Sequence, residues 1–269
     1  MIAEFHRPET TQKAVELRSE LGNGAWYLGG GTEINSLAPP PGRREHLISL
    51  DRLDMRSIES TATEIIVGAG CTLQEMIESD EIPEVIRLAC RHVENRSIRN
   101  QATIGGHIAA GHPYASVLPI LVALEARVDI TAQDGVSSLD PMADHIGGVR
   151  GALITTVRIP IFSPEMHAAV DQHCRSAIDL AMLTVAVTCS LENDLLLTPR
   201  IVVGGLTDVP QRLSEVERQL DGKPMPPQDI LEQLSAQHVQ ADSDQRASAE
   251  FKRYMAGALV ARTLMGVAS

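Results

Sequence analysis

At 269 residues, with 43% hydrophobic and 22% charged positions, the chain can build one large domain or about two to three small ones with buried cores. Its formal net charge of −12 excludes a general affinity for nucleic acid or an anionic membrane surface, both of which would repel it. Aromatic residues at 3% provide no stacking platform for bases, and the longest apolar run, Val117–Leu124, is far too short for a membrane span.

The first residues, MIAEFHRPET, carry an acid and a proline early and do not form a basic-then-apolar secretory leader. Cysteines 71, 90, 174 and 189 are widely spaced with no CxxC pair. They read as reduced thiols packed as small core residues in a cytoplasmic protein, not as a disulfide framework or an iron–sulfur or zinc site. The nine histidines are scattered with no pair in a metal-binding spacing, so no metal site is expected.

In chain order, residues 9–21 predict an amphipathic helix with Ala14, Leu17 and Leu21 on one face, ended by Gly22 and Gly24. Ala25–Leu28 follows as a short strand, then the loop Gly29-Gly30-Gly31-Thr32-Glu33-Ile34-Asn35. Ile34–Leu37 precedes the Pro39-Pro40-Pro41-Gly42 break, and His46–Leu50 is a second strand. Together these make a small α/β unit. Glu64–Val67 predicts a strand, Gly68-Ala69-Gly70 a bend, and Thr72-Leu73-Gln74-Glu75 a capping box opening a helix to Glu78.

After Pro83 a helix runs to about His92, and Asn95–Ile108 is a polar stretch with a second Gly-Gly pair. Leu118–Leu124 reads as a buried helix and Arg127–Ala132 as a strand ended by an Asp134-Gly135 turn. Leu153–Ile159 is a strand stopped by Pro160. The pattern changes near Phe162: Met182–Leu191 and Pro199–Val203 predict an antiparallel meander, while Leu213–Leu220 and Asp229–Leu234 predict helices. Residues 221–228 form a loop and 248–265 a closing amphipathic helix, with Phe251, Tyr254 or Met255, Ala258, Leu259 and Ala261 or Leu264 along its inner face.

A glycine loop can bind phosphate because exposed N–H groups converge on an anion when no Cβ intervenes. The 29–35 loop follows a strand, the right context, yet it lacks both GxGxxG and GxxxxGK[ST] spacing. Alone it reads first as a structural turn, with phosphate binding as the other option. The second stretch, Arg99–His112, adds Thr103, Gly105, Gly106 and Gly111 beside the donors Asn100, His107 and His112. Two such loops about 70 residues apart could clamp the ends of a long dinucleotide; a turn and helix start remains the other reading of each.

These residues carry a resemblance. RNQATIGGHIAA, followed by Pro113 and Leu118-Pro119, resembles a signature of the FAD-binding medium subunits of molybdenum hydroxylases, the family of the xanthine and carbon monoxide dehydrogenase flavoproteins. GGGTEIN resembles that family's first loop. FHRPETTQKAVEL, Ala152–Pro160, Arg175–Asp179, Ile201–Leu213 and DQRASAEFKR at 244–253 are similar to further family segments in the same order.

The resemblance implies an α+β protein of the vanillyl-alcohol-oxidase (PCMH) type. It would have FAD-binding subdomains at 1–56 and 57–161 and a C-terminal α+β domain at 162–269. FAD is the implied cofactor. Leu28 and Gly29 would lead into a loop wrapping the pyrophosphate through the N–H groups of Gly30, Gly31, Thr32 and Glu33, with Ile34 and Asn35 closing it. Asn100, Thr103, Gly105, Gly106 and His107 would approach from the other side, followed by His112 and Ser116, and Leu153 and Ile154 would contact a cofactor ring.

Two departures accompany this. Where the family has an Asn, a Ser and an Asp hydrogen-bonding the flavin's polar chain, this sequence has His107, His112, Ala115 and Ser116. It also lacks the cysteine cluster of members with an extra iron–sulfur centre. Among individual residues, the Glu33 side chain is expected to point away from any phosphate. Arg99 could offset phosphate charge or pair with an acid, and Arg175 and Asp179 could pair across four residues.

The implied function is a flavin electron-transfer subunit, with a molybdopterin-containing large subunit and a 2Fe-2S small subunit as partners and NAD, a quinone or oxygen as acceptor. No catalytic side chain is expected, because the chemistry belongs to the flavin. The alternative is a flavin-free docking subunit of the same kind of complex. A free-standing oxidase is the weakest reading.

Overall fold

The computed structural model describes residues 4–35, 45–133, 135–139, 152–176 and 179–267. The expected Leu37 and Pro39–Gly42 features, Asp134 of the predicted turn, and Ala177 and Ile178 lie outside these. Contacts divide the chain into two units: Met1–Ile82, Asn95–Gly111 and Ala126–Pro160 form one, and Pro83–Glu94, His112–Glu125 and Ile161–Ser269 the other.

The first unit opens with β1 (Glu4–His6), α1 (Thr11–Leu21), β2 (Ala25–Leu28) and β3 (His46–Ser49), whose strands form a parallel sheet in the order β1-β3-β2. Thr10 caps α1 by accepting the Lys13 N–H at 3.2 Å, and Gly22 at φ 61° ends it. The helix buries Ala14 and Val15 against Ala25, Ile48, Leu53, Met55 and Leu153, with Leu17 and Leu21 packed alongside. Burying one such apolar side chain contributes about 1.5–3 kcal/mol.

A second sheet holds β4 (Ile58–Ser60), β5 (Glu64–Gly68), β6 (Arg127–Ala132), β7 (Gly135–Leu139) and β8 (Leu153–Pro160), antiparallel in the order β4-β5-β8-β6-β7. Arg158 on β8 ties its neighbours together, reaching Asp129 and Glu64 at 2.6 Å each. α2 (Leu73–Glu78) starts on the expected capping box, with both the Thr72 and Glu75 bonds made.

The polar stretch with the second Gly-Gly pair is helical twice, as the turn-and-helix-start reading of it allows. α4 (Arg96–Arg99), capped by Asn95, and α5 (Ile104–Ala110), capped by Thr103, both lie in it. Helices of four and seven residues have too few positions for a clear hydrophobic period, so their caps are the signal.

In the second unit, α3 (Glu84–Arg91) and α6 (Leu118–Ala123) accompany β9 (Met166–His173), β10 (Leu183–Glu192), β11 (Leu195–Gly204) and β12 (Gln211–Arg212), antiparallel in the order β12-β11-β10-β9. A short strand, β13 (Lys223–Pro224), pairs with β11. Asn193 and Asp194, both at positive φ, turn the β10–β11 hairpin. β10 is buried from Leu183 to Cys189, so apart from Thr184 and Thr188 this stretch is apolar on both faces. Val185, Val187 and Cys189 join a core with α7 (Ser214–Leu220), α8 (Gln228–His238) and α9 (Ala249–Val267). Thr188, on the other face, donates to the Ala123 carbonyl at the end of α6.

α9 differs from expectation in its phase. Phe251 and Tyr254 are 40% and 66% exposed, while Lys252, Ala256, Leu259, Val260, Thr263 and Leu264 are buried. A buried lysine on the inner face shifts the stripe away from the aromatics, which periodicity alone would place inside. The Arg175–Asp179 pair does not form either: Asp179 faces Arg246 at 3.7 Å and Arg175 donates to the Arg246 carbonyl. A four-residue spacing joins side chains on a helix, and neither Arg175 nor Asp179 is in a helical conformation. Cys71, Cys90 and Cys189 are buried as expected, whereas Cys174 is half-buried. Burial pushes the Cys71 and Cys189 thiols up to about 11, so neither is a thiolate at neutral pH.

Candidate functional site

In a parallel sheet the strand C-termini and the turns beyond them are where ligands meet backbone. β2 ends at Leu28, whose carbonyl accepts the Leu50 N–H at 3.0 Å, and the chain leaves the sheet through Gly29. Gly31 sits at φ 74°, and the Asn35 N–H closes the turn onto its carbonyl at 3.0 Å. Among the described residues, the N–H groups of Gly30, Gly31, Thr32 and Glu33 have no protein acceptor. Four consecutive free N–H groups, two of them on glycines, form a concave donor set for an anion.

The second stretch is built differently. The Thr103 hydroxyl accepts the Gly106 N–H at 3.1 Å, and its carbonyl accepts the His107 N–H at 2.8 Å. Ile104 donates to the Cys71 carbonyl and Gly105 to the Ala69 carbonyl, both at 2.9 Å. The N–H groups of 104–107 are therefore satisfied within the fold. What this stretch offers a ligand is the remaining O–H of Thr103, the exposed Gly106 backbone, and side chains such as half-buried His107 and exposed Asn100. Gly105 is buried, and a Cβ there would lie 2.6 Å from that of Ala69, so the close approach needs glycine. Arg99 donates to the Gln74 amide oxygen at 3.3 Å.

The two stretches meet. A Cβ on Gly30 would stand 1.6 Å from the Gln101 carbonyl oxygen, and one on Gly29 would stand 2.9 Å from the Thr103 hydroxyl. Backbone lies against backbone there, so the donors of 30–33 sit on a rigid floor made by 101–103.

The remaining candidate residues have surroundings of their own. Leu153 and Ile154, on β8, are 3% and 7% exposed, and Leu153 packs in the α1 core. His112, Ala115 and Ser116 belong to the second unit. The His112 ring accepts the Tyr114 N–H at 3.2 Å and tilts against the Tyr114 ring, while Ser116 is 4% exposed.

The sequence reading assigned no role to a polar cluster in this second unit. Tyr114 donates to Asp244, Lys252 reaches the same carboxylate at 2.6 Å, and Arg246 lies over the Tyr114 ring at 4.7 Å. Burial raises the Asp244 carboxyl, but bonds from Lys252, Tyr114 and the N–H groups of Arg246 and Ala247 outweigh it and hold the pKa well below the usual carboxylate range. Burial and the bond to Asp244 push Tyr114 up to about 12. The one sequence signal was the motif at 244–253, which binds this cluster and, through Ser248, caps α9 by accepting the Phe251 N–H.

Comparison with known proteins places these features in context. The family described as the FAD binding domain in molybdopterin dehydrogenase matches residues 1–162, and that described as the CO dehydrogenase flavoprotein C-terminal domain matches residues 168–267. Uncharacterized protein YgfM of Escherichia coli strain K12 is 30% identical over 262 residues, covering 97% of this chain and 95% of its own. The carbon monoxide dehydrogenase medium chain of Afipia carboxidovorans is 29% identical over 280 residues, covering 97% and 95%. A chain of carbon monoxide dehydrogenase from Hydrogenophaga pseudoflava has the same fold, with TM-score 0.93, 23% identity, and coverage of 99% and 97%. The expected α+β, PCMH-type FAD-binding architecture is the one this chain adopts.

Proposed function

Because the chain belongs to the family of FAD-binding medium subunits of carbon monoxide and xanthine dehydrogenase-type molybdenum hydroxylases, we propose that it carries electrons within such a complex. It is thus a flavin-dependent oxidoreductase subunit at the level of its family, and its cofactor is FAD. The observation that carries the proposal is the row of free N–H groups on Gly30–Glu33, braced by the Gln101 carbonyl.

On this reading those N–H groups hold the FAD pyrophosphate, and the Thr103 hydroxyl and the exposed backbone of Gly106 approach it from the facing stretch. Bound FAD supplies the redox chemistry that the side chains lack. The chain orients the cofactor and fixes its surroundings; no side chain acts as acid or base. Residues 1–56 and 57–161 act as FAD-binding subdomains and 162–269 as the C-terminal domain. The relatives' designation as medium chains supports partners on either side. These would be a molybdopterin-containing large subunit and a 2Fe-2S small subunit, with an acceptor such as NAD taking the electrons. Among the described residues no helix is long and apolar enough to cross a membrane, and the proposed location is the cytoplasm.

A second reading, a flavin-free docking subunit, draws support from the Ala115 and buried Ser116 side chains where the family carries polar flavin contacts. The absorption spectrum separates the two. Purified protein showing flavin bands, or gaining them on reconstitution with FAD, supports the first reading. A colourless chain that cannot be reconstituted would sink it and favour the second. The double change His107→Asn with Ser116→Asp should then raise FAD affinity, if those positions limit it.

A further inference from the structure

β1 and β3 run parallel with Glu4 opposite His46. Strand alternation puts Glu4 and His6 on one face, and the register brings His46 onto it beside them. Three donor atoms converge as a result. His6 Nε2 lies 3.3 Å from His46 Nδ1, and Glu4 Oε2 lies 3.5 Å from each.

A tetrahedral zinc ion with ligands at about 2.0–2.1 Å has donor-to-donor edges of about 3.3–3.4 Å. The triangle formed by these atoms therefore matches the edge lengths of one face of that tetrahedron to within about 0.2 Å. The ligand types also agree, since two imidazoles and one carboxylate suit a borderline-soft d-block cation better than a hard, oxygen-seeking one. The two histidine side chains are 20% exposed and the Glu4 side chain 62%. The donors are thus held by the sheet yet open to solvent, which supplies a water as fourth ligand and a route of entry.

We propose that Glu4, His6 and His46 form a binding site for one divalent transition-metal ion of the zinc class. The site lies apart from the nucleotide loop. His46 pairs with Ala25 at the start of β2, and the loop leaves the sheet after Leu28, three residue steps or about 10 Å further along. Its effect is to clip β1, a strand of three residues at the sheet edge, onto the central strand β3. A ligand bound only by the folded state stabilises it by mass action, so metal should raise the thermal midpoint.

The test uses the full chain purified without a polyhistidine tag, titrated with Zn²⁺ by calorimetry and with Co²⁺ by visible absorption at neutral pH. Expected are saturable binding of one Zn²⁺ per chain, a tetrahedral-type Co²⁺ band, and a higher thermal midpoint with Zn²⁺. His6→Ala combined with His46→Ala should remove all three, and Glu4→Gln should weaken Zn²⁺ binding at least tenfold. Glu4 is exposed, so the second variant keeps the fold, which circular dichroism checks. Absence of one-to-one binding by the wild-type chain overturns the site. So does equal Zn²⁺ affinity in the wild type and a folded Glu4→Gln variant.

Discussion

Gly30 faces the carbonyl of Gln101 so closely that a Cβ on it would come within 1.6 Å of the oxygen. That contact joins two stretches about 70 residues apart, and neither partner can yield cheaply, because both are backbone. Gly30→Ala should therefore lower stability by about 1–3 kcal/mol and weaken FAD binding with it, read by urea denaturation and flavin fluorescence. Gly266→Ala, with nothing within 4 Å, is the control and should leave FAD binding unchanged.

Thr103 serves two purposes at once. Its hydroxyl caps α5 through the Gly106 N–H, and its O–H faces the loop. Thr103→Val should cost about 1 kcal/mol of stability through the lost cap and weaken FAD binding further than that loss explains. Thr103→Ser should restore both. Equal FAD affinity in the valine and serine variants would remove Thr103 from the site.

The alkaline side of the stability profile should be steep. Burial pushes Tyr27 up to about 12, and burial with the bond to Asp244 does the same for Tyr114, from an ordinary value of 10.0. Between those values the unfolded chain loses phenolic protons that the folded chain keeps, so stability falls as pH rises from about 10 to 12. Tyr114→Phe should flatten part of that slope in pH-dependent denaturation. An unchanged slope would show that Tyr114 titrates normally.

Lys252, 3% exposed, is charged against Asp244. Lys252→Met leaves that carboxylate with the Tyr114 hydroxyl and two N–H groups, so the cost should be about 2–3 kcal/mol, below that of stranding a fully buried ion. Because the folded pKa of Asp244 is depressed, its contribution is present above the ordinary value of 3.8 and is lost as pH falls below it. Acid unfolding should begin at higher pH in Lys252→Met than in the wild type. A shared onset would remove Asp244 from the acid limb.

Local features of the sequence determined a good deal. The capping box at Thr72, the apolar run of β10, the helix at 11–21 and the glycine loop after β2 all rest on neighbours in the chain, where propensity, caps and periodicity act. The ordered motifs marked the family for the same reason. Tertiary structure decided what depends on distant partners. Strand register set His46 beside Glu4 and His6, although no sequence spacing relates them. The salt link to Asp244 turned Lys252 inward and left Phe251 and Tyr254 in solvent. Hydrogen bonds to Ala69 and Cys71 satisfied the N–H groups after Thr103 and left those of Gly30–Glu33 free. Two glycine stretches that look alike as sequence thus differ as sites, because only the folded chain determines which backbone donors already have an acceptor.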